Sequence, residues 1–287
     1  MRPPSRSTET RESPANPLAR LLRALDLEPA GRERFRARTG SREGRTYGGL
    51  TLAQAVVAAS RTISRGHLHS LHAYFLRPGR QGADVEYRVE RLRDGRSFHA
   101  RRVVVSQDGE LIATVVGSFT HGRDGITHQD PMPAAPAPEG LADWEDLKRS
   151  LGAPASALRS DLAMEARVCE PLEDLRHPGP ARWRVWLRPR GTLPDDPVVN
   201  AAFLVFVTDR TLLRVGARPH GPIYGVRDAA SLDHAVWIHR PVRFDDWVLY
   251  CCESPAASAG RSLGIGAIHA RDGTRLATVA QEGILRF

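Results

Sequence analysis

Apolar and polar residues alternate along this chain with two periods, close to two in some segments and close to three and a half in others. Val85, Tyr87 and Val89 alternate with Glu86, Arg88 and Glu90, the pattern of a strand with one exposed face. Phe98 to Ser106 and Leu111 to Phe119 predict two more strands flanking Gln107-Asp108-Gly109-Glu110, where Asp-Gly suits the positive φ values of a tight hairpin. Leu52, Val56 and Ala59 fall at helical spacing, with Ala55 and Ala58 beside them, so a helix is predicted to open at Gly48-Gly49. Leu18 to Leu27 predicts a shorter amphipathic helix carrying Leu21, Leu22 and Leu25 on one side. Further on, Trp183, Val185 and Leu187 repeat the strand period between arginines. Val236 to Cys251, Arg261 to His269 and Arg275 to Phe287 predict the remaining strands. Within Val198 to Leu213 the run Ala201 to Val207 is apolar throughout, and period alone does not separate a buried helix from a buried strand there.

An internal repeat resolves that ambiguity. Asp94-Gly95-Arg96-Ser97 recurs loosely as Ala259-Gly260-Arg261-Ser262. Asp108-Gly109 followed by Ala113-Thr114-Val115 recurs as Asp272-Gly273 followed by Ala277-Thr278-Val279, and Arg77-Pro78 as Arg240-Pro241. The offset stays at about 163 to 165 residues, which marks a tandem duplication. Two copies make a pair of similar domains packed together, each a helix with an antiparallel meander. Val198 to Leu213 occupies the place of the Gly48-Gly49 helix and is therefore read as helix. The expected boundaries are a disordered arm at 1–17, a first domain at 18–120, a linker at 121–152 and a second domain at 153–287. The linker is punctuated by Pro131, Pro133, Pro136 and Pro138, with a short helix over Leu141 to Leu151.

Composition narrows the classes. The chain has 287 residues, of which 41% are hydrophobic, enough for two globular cores. No run approaches the ~18 apolar residues of a membrane span. The first residues lack the apolar stretch of a secretory signal. The net charge is +8, but Lys148 is the only lysine and the arginines are spread along the chain. No nucleic-acid-binding motif accompanies them, so neither a nucleic-acid partner nor stable membrane association is expected, and the arginines read as a solvated surface or as contacts for an anionic small ligand. The three cysteines make no disulfide framework and suit a cytoplasmic location. Cys251-Cys252 reads as strand core, with a nucleophilic role left open. His69, His72 and His234 lie on apolar strands without zinc-binding spacing, so no metal and no cofactor are expected.

Several long segments resemble one family. Tyr47-Gly48-Gly49-Leu50-Thr51-Leu52-Ala53-Gln54-Ala55 is similar to the helix-opening motif of acyl-CoA thioesterase II, the TesB-like family, although Leu50 stands where the family often has glutamine. His69-Ser70-Leu71-His72-Ala73-Tyr74-Phe75-Leu76-Arg77-Pro78-Gly79 and Leu92-Arg93-Asp94-Gly95-Arg96-Ser97-Phe98-His99 continue the match. In the second half Leu232-Asp233-His234, Trp237-Ile238-His239-Arg240-Pro241 and Gln281-Glu282-Gly283 extend it. The resemblance implies an α+β double hotdog fold, two tandem antiparallel sheets each wrapped around a central helix. It implies hydrolysis of acyl-CoA without metal or covalent intermediate, and a homo-oligomer is expected. It also implies three side chains that together activate a water, at Asp209, Ser231 and Gln281.

The residue pattern bears on each. Asp209 stands four and three residues after Val205 and Phe206, which at helical spacing turns it toward the buried side, where a carboxylate is desolvated. Gln281 is the polar member of the row Ala277, Val279, Gln281, Gly283, Leu285, and its counterpart in the first copy is Gly117. Ser231 carries less signal, since a serine near a strand start often bonds locally. The first copy has no acid in its central helix. Gly48 and Gly49 are expected to offer helix-start N–H groups to the thioester oxygen, and Arg93, Arg96 and Arg261 to meet the phosphates of coenzyme A. A catalytically silent acyl-CoA binder and a hotdog enoyl-CoA hydratase are the alternatives; the second would need an acid–histidine pair that the central helices do not supply.

Overall fold

The computed structural model describes residues 16–38, 44–122, 124–153, 162–221, 226 and 228–286. Most of the expected arm therefore lies outside the described residues. Its last two positions belong to the fold: Asn16 accepts the Leu18 N–H at 2.9 Å and Pro17 opens helix α1, Pro17–Leu25.

The first half continues with β1 (Glu28–Pro29), β2 (Arg34–Arg38), α2 (Gly48–Ser60), β3 (His67–Phe75), β4 (Asp84–Asp94), β5 (Phe98–Gln107) and β6 (Glu110–Thr120). Asp108 and Gly109, at φ 49° and 81°, form the predicted tight turn between β5 and β6. The linker holds a 3-10 turn at Pro138–Gly140 and α3, Trp144–Ser150. The second half comprises β7 (Met164–Val168), α4 (Leu172–Arg176), β8 (Arg182–Pro189), α5 (Pro197–Thr208), a 3-10 turn at Leu213–Ala217, β9 (Asp228–Ser231), β10 (Asp233–Ile238), β11 (Val248–Ser258), β12 (Arg261–Ala270) and β13 (Arg275–Arg286).

Among the described residues the strands form one continuous antiparallel sheet in the order β1-β2-β4-β5-β6-β3-β10-β13-β12-β11-β8-β7, with β9 also paired to β13. β3 and β10 join the halves, Leu71 opposite Val236. On one face α2 and α5 lie against each other, so both are buried nearly all round and carry no polar stripe. That is the double hotdog arrangement, and Ala201–Val207 is helix. On the other face the proline-rich linker is strapped over the second half. Trp186 Nε1 donates to Pro136 O at 2.8 Å, above a small cluster of Cys169, Trp186, Trp247 and Leu249.

Two predicted elements are corrected. The second central helix ends at Thr208, not Leu213. At its end the carbonyls of Phe206 and Thr208, left without helical N–H partners, accept instead from the hydroxyls of Tyr47 and Tyr250, at 2.7 and 3.2 Å. Arg210 N–H bonds Val207 O instead, at 3.2 Å, and the chain tightens into a turn. The strand predicted over Val236 to Cys251 is two strands, broken between Ile238 and Val248, where Pro241 has no N–H to give a ladder. β2, β7 and β9 carry too few residues for periodicity to reveal.

Candidate active site

The end of α5 meets the start of α2. Tyr47, the N-cap of α2, reaches across to Phe206 O and packs its ring edge-on against Phe206 at 5.1 Å between centroids. Asp209 is the C-cap of α5, one residue beyond the helix on which it was expected. Its carboxylate is half-buried and accepts from three directions. Gln281 Nε2 donates to Oδ1 at 2.5 Å, Ser231 Oγ donates to Oδ1 at 3.2 Å, and Gly49 N–H donates to Oδ2 at 2.7 Å. Gln281 Nε2 also donates to Ser231 Oγ at 2.7 Å, which closes a hydrogen-bonded triangle.

Ser231 and Gln281 are each held by a strand, and Asp209 by the end of α5. Gln281 lies in the middle of β13 on the inward row with Ala277, Val279 and Gly283, and is fully buried. Ser231 is the last residue of β9, opposite Gly283, rather than near a strand start. Asp233, two residues later, accepts the Glu282 N–H at 2.7 Å and pins the break between β9 and β10.

Desolvation pushes the Asp209 carboxyl up to about 6, against the pull of its hydrogen bonds to Gln281, Gly49 and Ser231 and of the Arg210 charge. It is therefore ionised at neutral pH yet more basic than an ordinary aspartate. Gln281 Oε1 is buried and makes no hydrogen bond to any described residue.

Within the glycine pair, Gly49 departs from the expected role. Gly49 N–H is given to Asp209, so it is not a free donor for a thioester oxygen. A Cβ at Gly49 would stand 2.6 Å from Phe206 O, and one at Gly48 would stand 2.9 Å from both Asp209 Oδ2 and Phe75 Cζ. The glycines permit the close crossing of α2 and α5 and let the carboxylate sit on the helix start.

The duplication explains why there is one such centre. At the repeat offset, Gly264 and Gln281, paired across β12 and β13, correspond to Arg101 and Gly117, paired across β5 and β6. In the first half, the buried Arg101 guanidinium fills the space, bonding Thr62 Oγ1 at 2.8 Å and Arg93 O at 3.0 Å. Ser231 corresponds to Leu68, so the first copy lacks the serine as well as the glutamine.

The arginines are not brought together. Arg93 and Arg96 sit by the β4–β5 turn, which Arg101 ties to Thr62 just past the C-terminus of α2. Asp209 touches the other end of that 13-residue helix, about 18 Å away at ~1.5 Å per residue. Arg261 precedes the buried Ser262, which lies opposite Gly283, and its guanidinium pairs with Glu282 at 3.1 Å on the outer face.

The histidines stand apart as well. His69 bonds Ser118 Oγ at 2.8 Å, and His72 packs against the Trp237 ring on the outer face. His234 is buried beside Thr208 Oγ1 at 3.0 Å, and burial pushes its ring down to about 3, so it is neutral. Burial pushes the Cys251 thiol up to about 11 and Cys252 higher still, which leaves no thiolate nucleophile at neutral pH. Among the described residues no group of three or more His, Cys, Asp or Glu could hold a metal ion. Tyr47 and Tyr250, which with His234 shape the end of α5, carry no individual signal in the sequence. Tyr47 adjoins the glycine pair, and that adjacency was the available signal.

Comparison with known proteins follows the same division of the chain. The model of a family described as acyl-CoA thioesterase matches residues 159–284, and one described as acyl-CoA thioesterase N-terminal domain matches residues 36–121. Acyl-coenzyme A thioesterase 8 of Mus musculus is 36% identical over 282 residues, covering 92% of this chain and 88% of its own. Acyl-CoA thioesterase 2 of Haemophilus influenzae is 34% identical over 285 residues, covering 94% and 98%. The crystal structure of acyl-CoA thioesterase II TesB2 from Mycobacterium marinum superposes with a TM-score of 0.78 at 38% identity, over 93% of this chain and 97% of that one. The chain belongs to the acyl-CoA thioesterase II, or TesB-like, family.

Proposed function

We propose that this chain hydrolyses acyl-CoA thioesters to a carboxylic acid and coenzyme A through a water held at Asp209, Ser231 and Gln281. The observation that carries the mechanism is the hydrogen-bonded triangle around a carboxylate pushed up to about 6, with Gln281 Oε1 left over as a buried acceptor. The water gives one proton to Asp209 and directs the other at Gln281 Oε1. Its oxygen forms a bond to the thioester carbonyl carbon, and the carbonyl oxygen takes the negative charge. The C–S bond then breaks, and the proton on Asp209 passes to the leaving sulfur. Ser231 and Gln281 keep Asp209 oriented. With Gly49 N–H committed to Asp209, the positive end of α2 and the Gly48 N–H are the groups proposed to face the oxyanion.

Neither alternative gains support. A hydratase would need an acid paired with a histidine, and His234 bonds Thr208 instead of Asp209. A silent binder has no use for a desolvated carboxylate. Arg261, at the same end of the sheet as Ser231, is the arginine proposed for coenzyme A. A cytoplasmic location suits three free cysteines, and no helix among the described residues is long and apolar enough to cross a membrane. A homo-oligomer is proposed from Tyr74 and Trp237, which stand 61% and 37% exposed on the outer sheet face. The deciding experiment measures free-thiol release across acyl-CoAs of increasing chain length. Absence of turnover with every one of them would leave only a binder.

A further inference from the structure

The outer face of the second half carries a cleft of about 690 Å³, on the side of the sheet opposite Asp209. The proline-rich strap is its roof and is pinned at both ends. Gln129 accepts the Arg275 N–H at 3.0 Å and donates to Gly273 O at 2.9 Å, while Trp186 holds Pro136 O at 2.8 Å. Pro131, Cys251 and Ile265 give the cleft apolar walls.

His269 also lines this cleft. It is 2% exposed, and neither ring nitrogen has a hydrogen-bond partner among the described residues. Its directly opposed neighbour across β12 and β13 is Arg275, whose Nε is likewise buried and without a partner, although its Nη1 faces Asp130 at 3.6 Å. Opposed residues on one sheet face have Cβ atoms only ~5 Å apart, so the two side chains can serve one ligand group. Buried donors are rarely left unmatched, and the mechanism at Asp209 uses neither.

We propose that this cleft is a second small-molecule site, for a compact carboxylate whose oxygens accept from Arg275 Nε and from the His269 ring, with its apolar body between the strap and the Cys251 wall. The charge that acts on the His269 ring is the Arg275 guanidinium, which favours an anion beside it. Glu170 at the rim is offset by Arg184 at 3.1 Å, and Asp130 meets only the far end of Arg275. The charged and titratable groups lining the cleft with His269 are Arg275 from β13, Asp130 from the strap, Arg182 and Arg184 from β8, Glu170 from the segment before α4, and Glu253 with the protonated Cys251 and Cys252 thiols from β11. Burial and Arg275 hold the His269 ring below its ordinary range, so it is neutral in the free protein. A bound carboxylate reverses that balance, and binding therefore tightens as pH falls through the histidine range.

The probe is sodium benzoate, added to the full chain while the Cε1–H signal of the His269 ring is followed by NMR, with sodium chloride at matched ionic strength as control. The signal is assigned with His269→Asn. The expected result is a saturable shift with benzoate alone and a rise of about one unit or more in the ring's apparent pKa. Arg275→Gln should weaken binding at least tenfold, whereas Asp209→Asn should leave it unchanged, which keeps this test separate from that of the hydrolysis mechanism. A His269 signal that ignores benzoate, or answers chloride equally, overturns the proposal, and the wild-type titration decides this without any variant. Loss of the response in Asp209→Asn overturns it too, because the carboxylate would then be bound at the hydrolytic centre.

Discussion

The backbone N–H of Gly49 donates a 2.7 Å hydrogen bond to Oδ2 of Asp209, joining the start of the first central helix to the end of the second. The acid comes from one copy of the repeat and the helix N-terminus that steadies it from the other. A carboxylate capping a helix start is favoured by the helix dipole and disfavoured by burial, and here burial prevails. The centre is therefore a property of the pair of domains, and neither copy contains it alone.

Asp209→Asn removes the anionic acceptor while keeping side-chain size. Turnover is expected to fall by roughly 10²–10⁴-fold, the usual worth of a positioned base. Gln281→Ala should cost on the order of 10²-fold. Steady-state thiol release checks both, with binding of a non-hydrolysable acyl-CoA expected to survive. An Asp209→Asn protein that is folded and turns over near the wild-type rate would sink the mechanism.

The raised carboxyl makes the rate pH-dependent. With the Asp209 carboxyl at about 6, kcat/KM should decline as pH falls below that value, approaching tenfold per unit. The effect on stability has the opposite direction. The folded protein favours the neutral carboxyl more than the unfolded chain does. This contribution is fully present below the ordinary aspartate range and is lost as pH rises through about 6. Thermal unfolding of wild type and Asp209→Asn should diverge across that window, with the wild type losing ground as pH rises.

Gly49→Ala places a methyl 2.6 Å from Phe206 O, a backbone atom with no rotamer to escape into. The helix crossing must widen, at a cost on the order of 1–3 kcal/mol. Activity should fall further than stability, because the Gly49–Asp209 hydrogen bond is drawn out. Denaturant midpoints together with kcat measure the two effects, and an unchanged kcat would show that the crossing does not position the acid.

Among the arginines, Arg261→Gln should raise KM several-fold at constant kcat, and the wild-type KM should rise with salt. Arg93→Gln and Arg96→Gln, a helix length from Asp209, should leave KM within about twofold of wild type. The reverse ranking would place the nucleotide end of coenzyme A at the far end of α2.

Much of the fold was legible because it is written locally. The alternation around Val85–Val89, the Asp108-Gly109 turn and the inward row of β13 each depend on residues within a few positions of one another. The repeat then supplied the pairing of halves, including the helical state of Ala201–Val207 that period left open. The end of α5 and the partner of Gly49 depend instead on distant residues. The carbonyls at the end of α5 are satisfied by the hydroxyls of Tyr47 and Tyr250, which no local pattern announces. The helix-start N–H of Gly49 was legible as a donor but not as one already given to Asp209.

The sequence by itself determined two copies of a helix-and-sheet unit, the contrast of Gly117 with Gln281, and a family resemblance that implies roles for Asp209, Ser231 and Gln281. Only the tertiary structure decided that these three make one centre. Asp209 and Ser231 are 22 residues apart, and Asp209 and Gln281 are 72 apart. The contact between them is made by strand register and helix crossing, not by any local period. The same holds for the basicity of Asp209 and for the facing pair His269 and Arg275 under the strap. Desolvation and unmatched donors depend on what the rest of the chain packs around a group, and that environment exists only once the chain has folded.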